Sequence, residues 1–179
     1  MTHPASTATA EELARLDEAC FPASERWSIA AWSDELLAED RLLGFRRDGG
    51  TLVAAASVRV VAGTADLHRI MVDPRHRGRR IACGLLDEML RRAGVEAARM
   101  LLEVRHDNPA ALALYRGFGF RVIATRPDYY GTGAHALVLE RGLAGSADAS
   151  AVAGRSPDPV ADKTSRCDKL GDQRGGGLA

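Results

Sequence analysis

Cysteine is scarce: Cys20, Cys83 and Cys167 are all that 179 residues provide. They are scattered and odd in number, with no Cys-x-x-Cys pair and no histidine at zinc-ligand spacing. That argues against a disulfide framework and against a metal site, and makes a reducing cytoplasm the expected compartment. Neither sign of charge prevails, since Lys+Arg and Asp+Glu both number 24, so no overall field draws a polyanion. Aromatic residues make up only 5%, and no basic stripe interleaves with them for base stacking, so nucleic acid is not an expected partner. No apolar run approaches the length that spans a bilayer. The opening "MTHPASTATAEEL" lacks the basic start and apolar centre of a secretory signal. The expectation is a soluble protein with no membrane partner.

What is present has clear period. "EELARLDEACF" sets Leu13, Leu16, Ala19 and Cys20 on one helical stripe, and "WSIAAWSDELLAED" reads as a second short helix capped by Ser28. "RLLGFRR" and "TLVAAASVRVV" flank "DGG", a hairpin signal, and "ADLHRIMV" continues the strand pattern to Asp73-Pro74. Ala82, Leu85, Leu86, Met89 and Leu90 then fall on one face of an amphipathic helix that ends at Gly94. "RMLLEVR" reads as a buried strand. Asn108 and Pro109 form a cap and first turn for the helix "PAALALYRGFGF", closed by Gly117 and Gly119. "FRVIATR" and "HALVLERGL" read as two last strands. Two crossover helices imply locally parallel strands in a mixed sheet, an α/β or α+β domain. A flexible start over 1–9 precedes this one domain, 10–143. Residues 144–179, rich in Gly, Ala, Ser, Asp and Pro, read as a disordered tail.

The stretch "DPRHRGRRIACGLL" crowds Arg75, Arg77, Arg79 and Arg80 where a helix begins. Cations there oppose the helix dipole by about 0.3–1 kcal/mol each. A bound anion on the free N–H groups reverses the sign. A solvated basic loop and a phosphate cradle are the two readings, and placement after a strand favours the cradle.

These residues resemble the acyl-CoA loop of the GNAT acetyltransferases, Arg/Gln-x-x-Gly-x-Gly/Ala. Arg77 matches its first position and Ala82 its last, while Arg80 replaces the central glycine. The resemblance implies a GNAT fold. It also implies acetyl-CoA as cosubstrate, with its pantetheine along Ile70, Met71 and Val72. The pyrophosphate is then held by Arg77, Gly78, Arg79, Arg80, Ile81, Ala82 and Cys83. An Arg80 with helical φ/ψ would keep its N–H in service and bring a guanidinium to the phosphates. In that pattern a bulge in the preceding strand supplies an oxyanion N–H, which points to Met71 or Val72.

Glu103, Asn108 and Tyr115 follow in "LLEVRHDNPAALALYRGFGF". Taken singly they read as a strand residue emerging into solvent, a helix cap and a core aromatic. Taken together they suit amine acetylation, which needs a base for the ammonium and an acid for the leaving thiolate. "LEVR…N..A..LY…GF", the later "YY" and "ERWSIAAW" are similar to the RimI-type ribosomal-protein alanine N-acetyltransferases. That narrower resemblance implies Glu103 as proton acceptor, Tyr115 as proton donor and Asn108 as a CoA contact. The acceptor it implies is a protein N-terminal alanine on a small-subunit ribosomal protein. Tyr129, Tyr130 and Trp27 become substrate contacts, with surface or core packing as the other reading. His68, His76 and His106 have no carboxylate at a fitting spacing and read as ordinary strand and loop residues. A GNAT acting on lysines or small amines, and a degenerate CoA-binding module, are the alternatives.

Overall fold

A computed structural model describes residues 7–143. The expected tail at 144–179, and all but 7–9 of the expected flexible start, lie outside the described residues. The elements are α1 (Ala10–Cys20), α2 (Ile29–Leu37), β1 (Arg41–Asp48), β2 (Thr51–Val61), β3 (Thr64–Val72), α3 (Ile81–Ala93), β4 (Arg99–Arg105), α4 (Pro109–Gly117), β5 (Arg121–Arg126) and β6 (Ala136–Gly142). Short 3-10 turns at Ala23–Glu25 and Pro74–His76 lie between them. Among the described residues no helix is long and apolar enough to cross a membrane.

Local chemistry sets the ends. Thr9 caps α1 in a capping box with Glu12, Ser28 accepts from the Ala31 N–H, and Asn108 accepts from the Ala111 N–H. The β1–β2 hairpin turns on Gly49 and Gly50, both at positive φ, as its two-residue loop requires. A second two-residue hairpin at Ala62-Gly63 divides β2 from β3, where the sequence reads as one continuing pattern. Gly119, at φ 84°, closes α4: its N–H donates to the Arg116 carbonyl and that of Phe120 to the Tyr115 carbonyl.

The six strands run in the order β1-β2-β3-β4-β6-β5. β3 and β4, joined by α3, are parallel as the crossover implies. The second crossover does not give a parallel neighbour: β6 inserts between β4 and β5 and pairs antiparallel with both. One sheet face carries Ala54, Ile70, Leu102 and Leu139 against Leu85, Met89 and Tyr115 of α3 and α4. The other carries Ala55 and Met71 against Leu13, Leu16 and Trp32 of α1 and α2. Ala19, expected on the α1 stripe, is exposed, and the buried polar residue of that helix is Asp17.

Candidate functional site

The site starts from a mismatch between two strands. β3 and β4 pair from Thr64↔Arg99 to Leu67↔Leu102 and no further, so past that rung they part. On its other side β3 stays paired with β2, but with one extra residue: Val58 opposes Leu67 and Ser57 opposes Arg69, leaving His68 as the bulge. The extra residue inverts the side-chain alternation. Leu67, Ile70 and Val72 pack under α3 and α4, whereas Met71 packs with α1 and α2.

The bulge therefore falls at His68 and not at Met71 or Val72. Amide direction separates those two residues. Asp73 donates its N–H to the Val53 carbonyl, so by two-residue alternation Met71 also turns to β2. The amides of Ile70 and Val72 turn the opposite way, into the gap that β4 has left. The Val72 carbonyl bears this out, since the Cys20 thiol and the Arg77 guanidinium reach it at 3.3 and 3.4 Å.

On the α1/α2 side the gap opens into a cleft of about 1240 Å³. Glu103, Asn108, Trp27, Tyr129 and Tyr130 line it, so the structure gathers those sequence candidates in one place. Glu103 pairs with Arg126 at 2.8 Å, and the Arg126 guanidinium lies 5.7 Å from the Tyr129 ring. Arg105 joins three walls: it reaches Glu25 at 2.9 Å and Asp107 at 2.8 Å, and it lies 5.4 Å from the Tyr130 ring. Burial, followed by the charges of Glu103 and Glu25, pushes the Tyr130 hydroxyl up to about 12.

Tyr115 does not line this cleft. It is fully buried in the core on the opposite face, edge-on to Phe120 at 5.7 Å, and its hydroxyl has no hydrogen-bond partner among the described residues. Burial raises its pKa well beyond the ordinary phenol range. Ile70, Val72, Ile81, Ala82 and Cys83 belong to the same core cluster or pack against it. Ile70 and Val72, implied for the pantetheine, and Ile81, Ala82 and Cys83, implied for the pyrophosphate, thus lie on the α3/α4 side, while Met71 and the residues implied for the acceptor lie on the α1/α2 side. The parting of β3 and β4 joins the two.

The basic turn leads into the start of α3. Of the four α-helices described, α3 alone has no side-chain cap, so its first N–H groups are left to another acceptor. Arg80 stands at the cap position with φ 58° and ψ 15°, the left-handed conformation, not the helical one. An arginine here keeps the backbone that glycine adopts freely. The neighbouring cations hold local partners: Arg75 pairs with Asp73 at 2.8 Å, and Arg79 lies 3.9 Å from Asp48. An uncapped helix start, two amides aimed into a gap and an orphaned buried hydroxyl together fit an acyl-CoA. Among the described residues no group of three or more His, Cys, Asp or Glu is placed to hold a metal ion.

Two polar networks were not legible in the sequence. Arg69, thrown to the cleft side by the bulge, lies 4.2 Å over the Phe21 ring and 4.6 Å over Trp27, and it pairs with buried Asp17 at 3.5 Å. Beneath the bulge, Glu35 of α2 meets the His68 imidazole at 3.2 Å. Asp17 on an otherwise apolar stripe was the one available sign of the first; the second had none.

The sequence matches the Acetyltransferase (GNAT) family over residues 7–120. It is 39% identical over 141 residues to an N-alpha-acetyltransferase RimI of Mycobacterium tuberculosis, covering 75% of this chain and 87% of that one. It is 34% identical over 122 residues to a [ribosomal protein bS18]-alanine N-acetyltransferase of Escherichia coli, covering 64% of this chain and 80% of that one. The fold is like that of the ribosomal-protein-S18-alanine N-acetyltransferase from Escherichia coli, with a TM-score of 0.71 at 24% identity over 80% of this chain and 93% of that one. It is also like Arabidopsis thaliana NAA60, with a TM-score of 0.69 at 17% identity over 80% and 98% of the two chains. A sheet opened between β3 and β4, a basic turn leading into an uncapped helix, and a family match over most of the domain have one reading: the chain belongs to the GNAT acetyltransferase family and is an N-acetyltransferase.

Proposed function

We propose that the chain acetylates the α-amine of a protein N-terminus in the cytoplasm, with the N-terminal alanine of a small-subunit ribosomal protein as its target. The observation that carries this reading is the position of Glu103. It stands one residue past the last β3–β4 rung, in a cleft open on the α1/α2 side and walled by Trp27, Tyr129 and Tyr130. An extended chain end fits such a cleft. The relatives named for N-terminal acetylation support the class of acceptor, and the bS18-alanine enzymes support the residue. An α-amine also suits a modest base, since its reference pKa is about 7.7–8.0 against about 10.4 for a lysine.

Acetyl-CoA supplies an activated acyl group whose thioester carbonyl the free amine attacks. The basic turn, Arg77 to Cys83, holds the pyrophosphate on the first N–H groups of α3. Ile70 and Val72 turn their amides along the pantetheine, where the carbonyl oxygen gains charge. Asn108 serves as cap of α4 and as a contact at the same edge. Glu103 attracts the ammonium and accepts its proton through water. Tyr115, kept neutral by burial, donates a hydrogen bond to the departing sulfur.

The test is incubation with acetyl-CoA and three peptides: one beginning with Ala, one with Met, and one with a blocked N-terminus and an internal lysine. Mass spectrometry should find the acetyl group on the alanine α-amine. Robust transfer to the lysine peptide, with none to the alanine peptide, overturns the reading. Titration calorimetry with acetyl-CoA separates an enzyme from a degenerate module, because a module that fails to bind it cannot transfer from it.

A further inference from the structure

The pairing of Glu35 with His68 has no part in the roles given so far, yet it stands at the reacting end of the cleft. Leu67↔Leu102 is the last rung between β3 and β4. His68 and Glu103 are the next residues on their strands, at the point where the strands part, and both line the cleft. His68 has no partner on β2, and its side chain shares the cleft with Asp66 and Arg69.

We propose that His68, oriented by Glu35, is a second proton acceptor for the acceptor amine, working beside Glu103. The inference deepens the proposed function and rests on it. Glu35 is buried and accepts from the Ser57 hydroxyl, and its Oε1 lies 2.9 Å from Arg41 Nε and 3.2 Å from His68 Nδ1. Burial alone would raise its pKa, but the bonds from His68, Ser57 and Arg41 outweigh burial and hold it to about 2. A carboxylate so held takes the Nδ1 hydrogen and leaves Nε2 with its lone pair. The Trp27 ring stands edge-on to the imidazole at 6.3 Å.

The ion pairs favour His68 as the resting place of the proton. Glu103 is engaged by Arg126 at 2.8 Å, so a proton added there breaks an ion pair. A proton added to His68 completes one with Glu35. The other charged groups around it are Asp66 and Arg69 on β3, Glu103 and Arg105 on β4, and Arg41 of β1 behind Glu35. The three arginines are already engaged, by Asp17, by Asp107 and Glu25, and by Asp40 and Glu35.

The step balances. An ammonium N–H bond breaks and its proton passes to Nε2, directly or through one water. The electron pair left on nitrogen forms the N–C bond, and the nitrogen gives up its second proton to water by way of Glu103 as the C–S bond breaks; the sulfur keeps its pair, accepts a hydrogen bond from Tyr115 and takes a proton from solvent. The imidazolium then releases its proton to solvent. Glu35 acts through His68 and is a positioning residue.

Rates of transfer to the alanine peptide, measured across pH for wild type, His68→Ala and Glu35→Gln, test this. His68→Ala should lower kcat near pH 7 by about 10- to 100-fold. It should leave the acetyl-CoA Kd within about twofold, and the deficit should narrow toward about pH 9, where the free α-amine forms unaided. Added imidazole should restore part of the lost rate, and Glu35→Gln should show a smaller loss of the same form. A His68→Ala protein at the wild-type rate, or one whose deficit neither imidazole nor pH changes, overturns the inference. Should that variant not fold, His68→Gln keeps a donor for Glu35 without a titrating ring, and the wild-type rate in it overturns the inference equally. A wild type that acetylates no peptide overturns the proposed function along with it, whereas an active wild type matched by its His68 variant overturns this inference alone.

Discussion

The Glu103 carboxylate meets the Arg126 guanidinium at 2.8 Å across strands that are not neighbours, because β6 lies between β4 and β5. Both side chains are partly exposed, so the contact contributes at most about 1 kcal/mol to stability. Glu103→Gln keeps the shape and removes the base. It should reduce kcat by about 100-fold or more, most strongly at low pH, with acetyl-CoA Kd within about twofold. A large loss of acetyl-CoA affinity, read by calorimetry, would instead mark Glu103 as a support for the fold.

Tyr115→Phe separates chemistry from packing. The phenol oxygen is buried without a partner, and an unsatisfied buried hydroxyl costs about 1–3 kcal/mol. Removing it should leave the urea midpoint unchanged or higher. A hydrogen-bond donor to the leaving sulfur would nevertheless be lost, and kcat should fall by about 10- to 100-fold. A stable variant at full rate would assign Tyr115 to the core alone.

Arg80→Gly relieves a left-handed arginine, worth about 1 kcal/mol in the folded state. Glycine also loosens the unfolded chain by a similar amount, so net stability should move by less than about 1 kcal/mol. Loss of the guanidinium should weaken acetyl-CoA binding several-fold, and dephospho-CoA and CoA titrations will show which phosphate it serves. Unchanged affinity would mean that the backbone alone makes the cradle.

Acid should unfold the protein through its held carboxylates. In the folded state Glu35 titrates near 2, against an ordinary value of 4.5. A folded value below the unfolded one gives stability that is present above the unfolded value and lost as pH falls through the folded one. For Glu35 that is on the order of 3 kcal/mol, lost between about pH 5 and pH 2. Glu12, bonded by Arg47 and the Thr9 amide, is also held to about 2, but its ion pair is partly exposed and contributes about 1 kcal/mol. Urea midpoints measured from neutral pH to about pH 3 should fall steadily, and Glu35→Gln should flatten the curve. A midpoint independent of pH would contradict the assignment.

Much of the fold was legible because it is local. The Thr9 capping box is an exception in being read only from the structure. Ser28, Asn108-Pro109 and the Gly49-Gly50 turn are signals within a few residues of the structure they cause. Of the residues that a motif carries, Glu103, Asn108, Tyr129, Tyr130 and Trp27 line one cleft, whereas Tyr115 is buried in the core on the other face. The partners of those residues were not legible. Arg126 reaches Glu103 from β5, Glu25 reaches Arg105 across 80 positions, and Glu35 reaches His68 across 33. Sequence spacing carries no trace of such contacts, so His68 reads as an ordinary strand residue until α2 is packed against the bulge.

The sequence by itself determined a mixed α/β domain, a basic turn between strand and helix, and an acid and a phenol in the next unit. Period, capping residues and turn glycines act over a few residues and need no fold to be read. Tertiary structure decided where β3 and β4 separate, which strand β6 enters beside, and which residue of β3 bulges. Those are questions of register between distant segments, settled by how two cores fill on opposite faces of one sheet. One unpaired residue, His68, sends Ile70 and Val72 to one face and Arg69 to the other.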